Sequence, residues 1–344
     1  MVRMVDQEYA PSPVGGQRAE GFGGRPTSPT RASVRVLLAI GALLQVACGP
    51  PDRPPRLPDP LPAPLLESLG PTNVRSLSTA PGLAYFGLQT LEDPWAIHLI
   101  RLDLARCELG LRVLRAPKQE GMAGGRSPVT ELLNGGEPDP GVGDRPPVLA
   151  AVNGDFFTPE GLPVGTEVVA GEVRRIGRRP ALAWRPGGKP WMGDPRVLGD
   201  SILRVGWNVP RSRPDGATQV IGGFPLLLKS GERVGNLRVS DLPAFAAARH
   251  PRTAVGYDPA QEVLWVIVVD GRQEGYSDGM TLPELTALLE RLGASEAVNL
   301  DGGGSSIMVL EGVAVSRPSD ESGERPVVNA LGIVRDPALC RAER

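Results

Sequence analysis

Val263-Leu264-Trp265-Val266-Ile267-Val268-Val269-Asp270-Gly271-Arg272 holds an unbroken apolar run that ends on a carboxylate and a glycine. Such a run, rich in β-branched residues, reads as a strand covered on both faces. Downstream, Thr281-Leu282-Pro283-Glu284 has the form of a capping box: a Thr hydroxyl caps the helix, Glu three residues on caps in return, and Pro is tolerated in the first turn. Leu282, Leu285, Leu289 and Leu292 recur on one helical face, and Gly293 supplies the stop. A second strand over 297–300 then delivers Asp301. The strand–helix–strand unit at 262–301 predicts a crossover. If its strands are parallel, Asp270 and Asp301 share the carboxyl edge where ligand sites form. Antiparallel paths stay open, so the expected class is α+β (mixed α/β): a single globular domain with a mixed sheet flanked by helices.

Working outward, 96–104 and 109–114 carry roughly alternating apolar residues and predict a hairpin around Ala105-Arg106. Residues 117–147 hold many Gly and Pro and read as loop, with one short helix at 129–133. Val148-Leu149-Ala150-Ala151-Val152 is a buried strand ending in Asn153-Gly154-Asp155-Phe156-Phe157, and short β segments are expected at 167–176 and 181–185. These limits place the domain at 85–336, with a tail at 337–344.

The amino-terminal part has a different character. Val36 to Ala47 is too short an apolar run to span a bilayer, but it suits a secretory segment behind Arg31 and Arg35. Ala47-Cys48-Gly49 resembles a lipoprotein cleavage site with Cys48 as the lipidated residue. Residues 1–47 are therefore expected to direct export, and 48–84, dense in Pro as far as Pro64, to form a semi-rigid tether. The expected location is the cell envelope, with the membrane engaged through a lipid anchor. Beyond Cys48 only Cys107 and Cys340 remain, so at most one disulfide is possible, and whether they pair stays open.

A net charge of −2 over 344 residues argues against a nucleic-acid partner, which would call for a basic face. His98 and His250 lack metal-ligand spacing, so a zinc hydrolase is not expected. No Gly-x-Ser-x-Gly elbow, phosphate loop or dinucleotide fingerprint occurs. No cofactor is required by the sequence, although aspartates and carbonyls would suit a calcium or magnesium ion. The densest site signal is Asn299-Leu300-Asp301-Gly302-Gly303-Gly304-Ser305-Ser306: a carboxylate at a strand end, then bare main chain whose N–H groups can approach an anionic oxygen.

Seven segments in order resemble the phosphodiester glycosidase family. They are Ala150-Ala-Val-Asn-Gly-Asp-Phe-Phe157, Ile221-Gly-Gly-Phe-Pro-Leu-Leu-Leu228, His250-Pro-Arg-Thr-Ala-Val-Gly-Tyr257, Val269-Asp-Gly-Arg272, Gly279-Met-Thr-Leu-Pro-Glu-Leu285, Asn299 to Ser306, and Gly323-Glu-Arg-Pro-Val-Val-Asn329. The chain departs from the family at Gly154-Asp155-Phe156, where Gly-Gly-Tyr is frequent, and in a short 203–220 segment. The resemblance implies hydrolysis of the glycosidic C–O bond of a sugar-1-phosphodiester, with an N-acetylglucosamine-like sugar, in envelope or extracellular glycans. The alternatives are a non-catalytic glycan-binding module and a metal-dependent phosphodiesterase.

That reaction needs a carboxylate at an oxocarbenium-like centre, an activated water and a charged cradle for the phosphate. Asp301 is the expected catalytic carboxylate, with Asp270 assisting. Asn153 and Asp155 are expected to orient sugar or water. Arg272, Arg325 and the Gly302, Gly303, Gly304, Ser305 and Ser306 loop are expected to hold phosphate, with Arg252 and Glu324 as further candidates.

Overall fold

The computed structural model describes residues 5–6, 61–70, 72–136, 146–198, 201–205, 216–235 and 243–342. They build sheets of nine, six and five strands, and every strand pairing is antiparallel. The fold is a sheet-rich α+β arrangement. Among the described residues, no helix is long and apolar enough to cross a membrane.

The Val263–Val269 strand lies inside the nine-stranded sheet, between Ala96–Asp103 and Arg252–Asp258. Leu264, Val266 and Val268 enter a core shared with Leu111, Val113, Val152 and Leu331 of the five-stranded sheet and Leu182, Trp184 and Ile221 of the six-stranded one. Val263, Trp265, Ile267 and Val269 enter a second core with Leu65 of the Ala63–Leu69 helix and Leu282, Leu285, Leu288 and Leu289 of the Leu282–Arg291 helix. Burial on both faces, not parallel neighbours, thus explains the unbroken apolar run.

The capping box is formed: Glu284 N–H donates to Thr281 Oγ1 (3.2 Å), and Thr281 N–H donates to Glu284 Oε2 (2.8 Å). The following strand, Glu296–Asn299, pairs antiparallel with Arg252–Asp258. It therefore runs parallel to Val263–Val269 but is separated from it by Arg252–Asp258. Asp270 and Asp301 share an edge at two strand spacings, roughly 10 Å.

Three expectations are corrected. The 96–104 and 109–114 segments do not form a hairpin: Ala96–Asp103 pairs with Leu83–Thr90 and Val263–Val269, whereas Leu109–Arg115 pairs with Asn329–Arg335 in another sheet. The tether does not extend over 48–84 nor the domain start at 85, because Leu65 is fully buried and Thr72–Ala80 pairs with Leu83–Thr90. Apolar residues past Pro64 have a sheet and a helix to bury against, and this outweighs the proline signal. Nor is 337–344 merely a tail: Cys340 in the Leu339–Ala342 helix is disulfide-bonded to Cys107. The proposed export segment, Cys48 and the most Pro-dense part of the tether lie outside the described residues.

Thr281→Ala removes one half of the capping box and should lower stability by about 1 kcal/mol. Urea denaturation would show this as a fall in midpoint at unchanged slope; an unchanged midpoint would contradict it.

Candidate active site

Four strand ends meet at the edge where Asp301 emerges. Asn153, the last residue of Val148–Asn153, is fully buried and joins three segments there. Its Nδ2 donates to Asp301 O (2.7 Å), and its Oδ1 accepts from Thr253 Oγ1 (2.7 Å) and Ile307 N (3.2 Å). Asp301 N donates to Gly154 O (2.9 Å), so the two acidic segments are tied main chain to main chain. Asn329 completes the floor: its Oδ1 accepts from Asp155 N (2.9 Å), and its Nδ2 donates to Glu167 Oε1 (2.6 Å).

The Asp155 carboxylate is buried against bare backbone. Gly165 N donates to its Oδ2 (2.6 Å), while Oδ1 is buried without a hydrogen-bond partner. A Cβ at Gly222 would stand 2.5 Å from Oδ2, and one at Gly165 2.8 Å away, so the carboxylate fits only between glycines. Burial pushes Asp155 up to about 7; Gly165 N–H and Arg179 oppose the shift, and the Asp301 and Glu167 charges add to it. Asp301 is partly exposed, and its Oδ1 accepts from Gly302 N (2.9 Å). Its pKa is raised to about 6 by burial, against the Ser305 hydroxyl, Gly302 N–H, Arg325 and Arg179. The two form a coupled pair titrating near neutrality.

The Gly302–Ser306 loop turns through Gly303 (φ +61°), and two guanidinium groups close over it. A Cβ on Gly303 would lie 3.2 Å from Arg272 Nη2, and one on Gly304 2.2 Å from Arg325 Nη2. Arg272 Nη2 donates to His250 Nδ1 (3.2 Å), and His250 is held below its ordinary pKa by burial and then by Arg252 and Arg272. Arg325 is paired with Asp320 through Nε (2.8 Å) and Nη2 (2.7 Å). Ser306 Oγ is buried without a hydrogen-bond partner.

Four sequence-based assignments change. Asp270 is not a free carboxylate: it accepts from His98 Nε2, Tyr276 OH and Arg317 N, each at 3.0 Å. Because a carboxylate only accepts, His98 carries its proton on Nε2 and takes the Tyr85 hydroxyl on Nδ1 (2.8 Å). Asn153 has its amide committed to protein groups and so positions the loops instead of meeting sugar. Arg252 is 1% exposed and donates to the carbonyls of Met280, Phe245 and Ala248; burial, then Arg272, brings its pKa down to about 10. Glu324 caps the Val129–Gly135 helix, accepting from Thr130 N (3.1 Å) and Thr130 Oγ1 (2.7 Å).

Arg179 is the residue that sequence reading missed. Its guanidinium lies 4.8 Å from the Phe156 ring centroid and 5.3 Å from that of Phe224, and its field lowers both Asp155 and Asp301. The only signal was Arg178-Arg179-Pro180 after a glycine, in a chain where Arg far outnumbers Lys. Among the described residues, the one group of three His, Cys or acidic ligands within 4.8 Å of one another is Cys107, Glu108 and Cys340, two of which form the disulfide. A cavity of about 110 Å³ beside that disulfide, lined by Trp184, Lys189, Glu262 and Leu339 among others, includes none of the site residues.

A buried and a partly exposed carboxylate, a bare glycine loop and nearby arginines on antiparallel sheets make a site with the groups for acid–base chemistry beside an anion. The chain belongs to the phosphodiester glycosidase family, whose model matches residues 147–334. A stretch of 76 residues, 22% of this chain, is 38% identical to N-acetylglucosamine-1-phosphodiester alpha-N-acetylglucosaminidase of Mus musculus and spans 14% of that protein's length. The zebrafish N-acetylglucosamine-1-phosphodiester alpha-N-acetylglucosaminidase catalytic domain, auto-inhibited by its pro-peptide, has a similar fold: TM-score 0.55 and 21% identity over 77% of this chain and 82% of that one. A hypothetical protein from Synechocystis gives a TM-score of 0.56 at 19% identity, over 77% of this chain and 64% of the other.

The raised pKa values carry a cost in stability. Each group favours the folded state when protonated, so its contribution is complete below pH about 4 and is lost as pH rises through about 6 and 7. Asp155→Asn should therefore melt higher than wild type at pH 8, with the difference shrinking towards pH 4. Melting curves that show no pH-dependent gap would contradict the burial of an ionisable group there.

Proposed function

We propose that this chain is an exported hydrolase that cleaves the glycosidic C–O bond of a sugar-1-phosphodiester, with an N-acetylglucosamine-like sugar, in envelope or extracellular glycans. The observation that carries the reading is geometric: the Asp155 and Asp301 segments are tied main chain to main chain, with Asp155 enclosed by glycines and Asp301 opening a bare loop under Arg272 and Arg325. Burial raises both carboxylates, the enclosed Asp155 more than the partly exposed Asp301, so Asp301 is the first of the two to ionise as pH rises. Asp301 then faces the anomeric carbon as positive charge develops there.

Asp155, being neutral, donates a hydrogen bond to substrate or water without setting a second negative charge against the phosphodiester. It takes the assisting part first given to Asp270. As C1–O breaks, the electron pair stays on the phosphate oxygen. Arg272, Arg325 and the Gly302–Ser306 main chain meet the phosphoryl oxygens, and water adds to C1 to complete the sugar hydroxyl while its second proton passes to the departing phosphate or to solvent. The Cys107–Cys340 disulfide supports an oxidising compartment and hence export. Lipid attachment at Cys48 is the part of this reading that tethers the domain to a membrane.

Hydrolysis in ¹⁸O-labelled water tests the bond assignment: label is expected in the released sugar, and label in the phosphate would establish a phosphodiesterase instead. Asp301→Asn should reduce kcat/KM by roughly 10³-fold while the substrate still binds. Wild type should be active in a narrow window, with an acid limb near pH 6 from Asp301 and an alkaline limb near pH 7 from Asp155. Binding of sugar phosphodiesters without turnover across that window would leave a glycan-binding module.

A further inference from the structure

Arg179 has the features of a ligand-binding guanidinium. Its loop is fixed at both ends. Gly177 N donates to Thr166 Oγ1, which donates back to Gly177 O, both at 3.1 Å. Gly177 packs so closely that a Cβ there would meet Val164 O at 2.4 Å. On the other side, Gly223 N donates to Pro180 O (2.8 Å). Between these pins the guanidinium stands over Phe156 and Phe224, two rings that hold its plane and limit water access.

Nη1 of Arg179 is nevertheless buried without a hydrogen-bond partner. Three other arginines, by contrast, meet carboxylates: Arg325 meets Asp320, Arg249 meets Glu284 and Arg233 meets Glu290. A buried donor left unpaired costs about 1–3 kcal/mol, so a pre-set loop that tolerates one is holding it for something that arrives later. Asp155 Oδ1 is a second buried, unpartnered atom in the same neighbourhood.

Resting on the glycosidase reading above, we infer that Arg179 is the residue that selects a phosphate leaving group, donating from its fixed fork to a phosphoryl oxygen beside the Asp155–Asp301 pair. Its two aromatic neighbours make it a rigid clamp, and the fork geometry suits phosphate in a way that an ammonium does not. An uncharged leaving group offers no phosphoryl oxygen to this guanidinium, so removing it must harm the two substrate types unequally.

The test compares wild type, Arg179→Lys and Arg179→Ala on two substrates of one sugar: a sugar-1-phosphodiester and the corresponding 4-nitrophenyl glycoside. Both variants should lose roughly 10²-fold in kcat/KM on the phosphodiester, at least tenfold more than on the aryl glycoside. Equal losses on both substrates, or none, would overturn the inference. Arg179→Lys keeps the charge and most of the stem, so its melting temperature separates a binding defect from misfolding. Binding of inorganic phosphate by calorimetry supplies an arm independent of turnover. Wild type should bind it at least tenfold more tightly than Arg179→Lys, and equal affinity or no binding by wild type would overturn the clamp. If wild type cleaves no sugar phosphodiester yet shows this phosphate difference, the glycosidase reading fails and the anion clamp stands.

Discussion

The side-chain amide of Asn153 is the interaction on which the site depends. It joins the end of a strand in the five-stranded sheet to Thr253 in the nine-stranded sheet, to the carbonyl of Asp301 and to the main chain at Ile307. A fully buried amide is tolerated only when its donors and acceptors are met. These partners are therefore as much a requirement of Asn153 as Asn153 is of them. The consequence is positional: the Gly154-Asp155 turn and the Asp301–Ser306 loop, nearly 150 residues apart in the chain, are fixed edge to edge. Asn329 does the same on the other side of Asp155 and passes the restraint through Glu167 to Arg115.

On that floor, environment alone distinguishes three aspartates. Asp270 stands at the same sheet edge as Asp301, but Tyr276, His98 and the Arg317 main chain occupy its oxygens. Burial and the nearby Asp270 charge hold the Tyr85 and Tyr276 hydroxyls protonated, far above their ordinary range, so they remain donors. The result is a rigid hub beside Arg272, which adopts φ +59°, a conformation unfavourable for a residue with a side chain. Ser277 Oγ donates to Asp270 O and Arg272 N to Asp278 O, closing the loop that holds Arg272 over Gly303. Asp270 thus supports the cradle. Asp155 and Asp301 have fewer donors on their oxygens, and burial raises both above the ordinary carboxylate range, Asp155 to about 7 and Asp301 to about 6.

Much of the framework was legible in the chain. The apolar run at 263–269, the capping box at Thr281 and the Gly loop after Asp301 each follow from a local rule, and each has the expected local form. Strand pairing was not legible, because alternation at 96–104 and 109–114 records burial without naming a partner. The site divided in the same way. Asp301, Asp155 and Arg272 sit beside glycines that let groups approach, and such glycines are visible in sequence. Asn153, Arg252 and Glu324 carry the same residue types, yet their polar groups are consumed by carbonyls, a helix end and neighbouring loops. Arg179 stayed hidden because its importance comes from Phe156 and Phe224, which reach it only in the fold.

Charge balance shows why the arrangement suits one class of anion. Arg325 is matched by Asp320, which leaves Arg179, whose field reaches both aspartates, and Arg272 over Gly303 as the cations set against Asp301 while Asp155 is protonated. The surplus is one positive charge, equal and opposite to that of a phosphodiester. A phosphomonoester dianion, the product of C–O cleavage, exceeds the surplus by one. In a site where burial raises carboxylate pKa values this strongly, an unmatched charge weakens binding more than it would in water. In the proposed reaction, the same imbalance would admit the substrate and favour departure of the product. Ionisation of Asp155 cancels the surplus altogether, so under the proposed function its raised pKa would serve the holding of the substrate as well as donation to it.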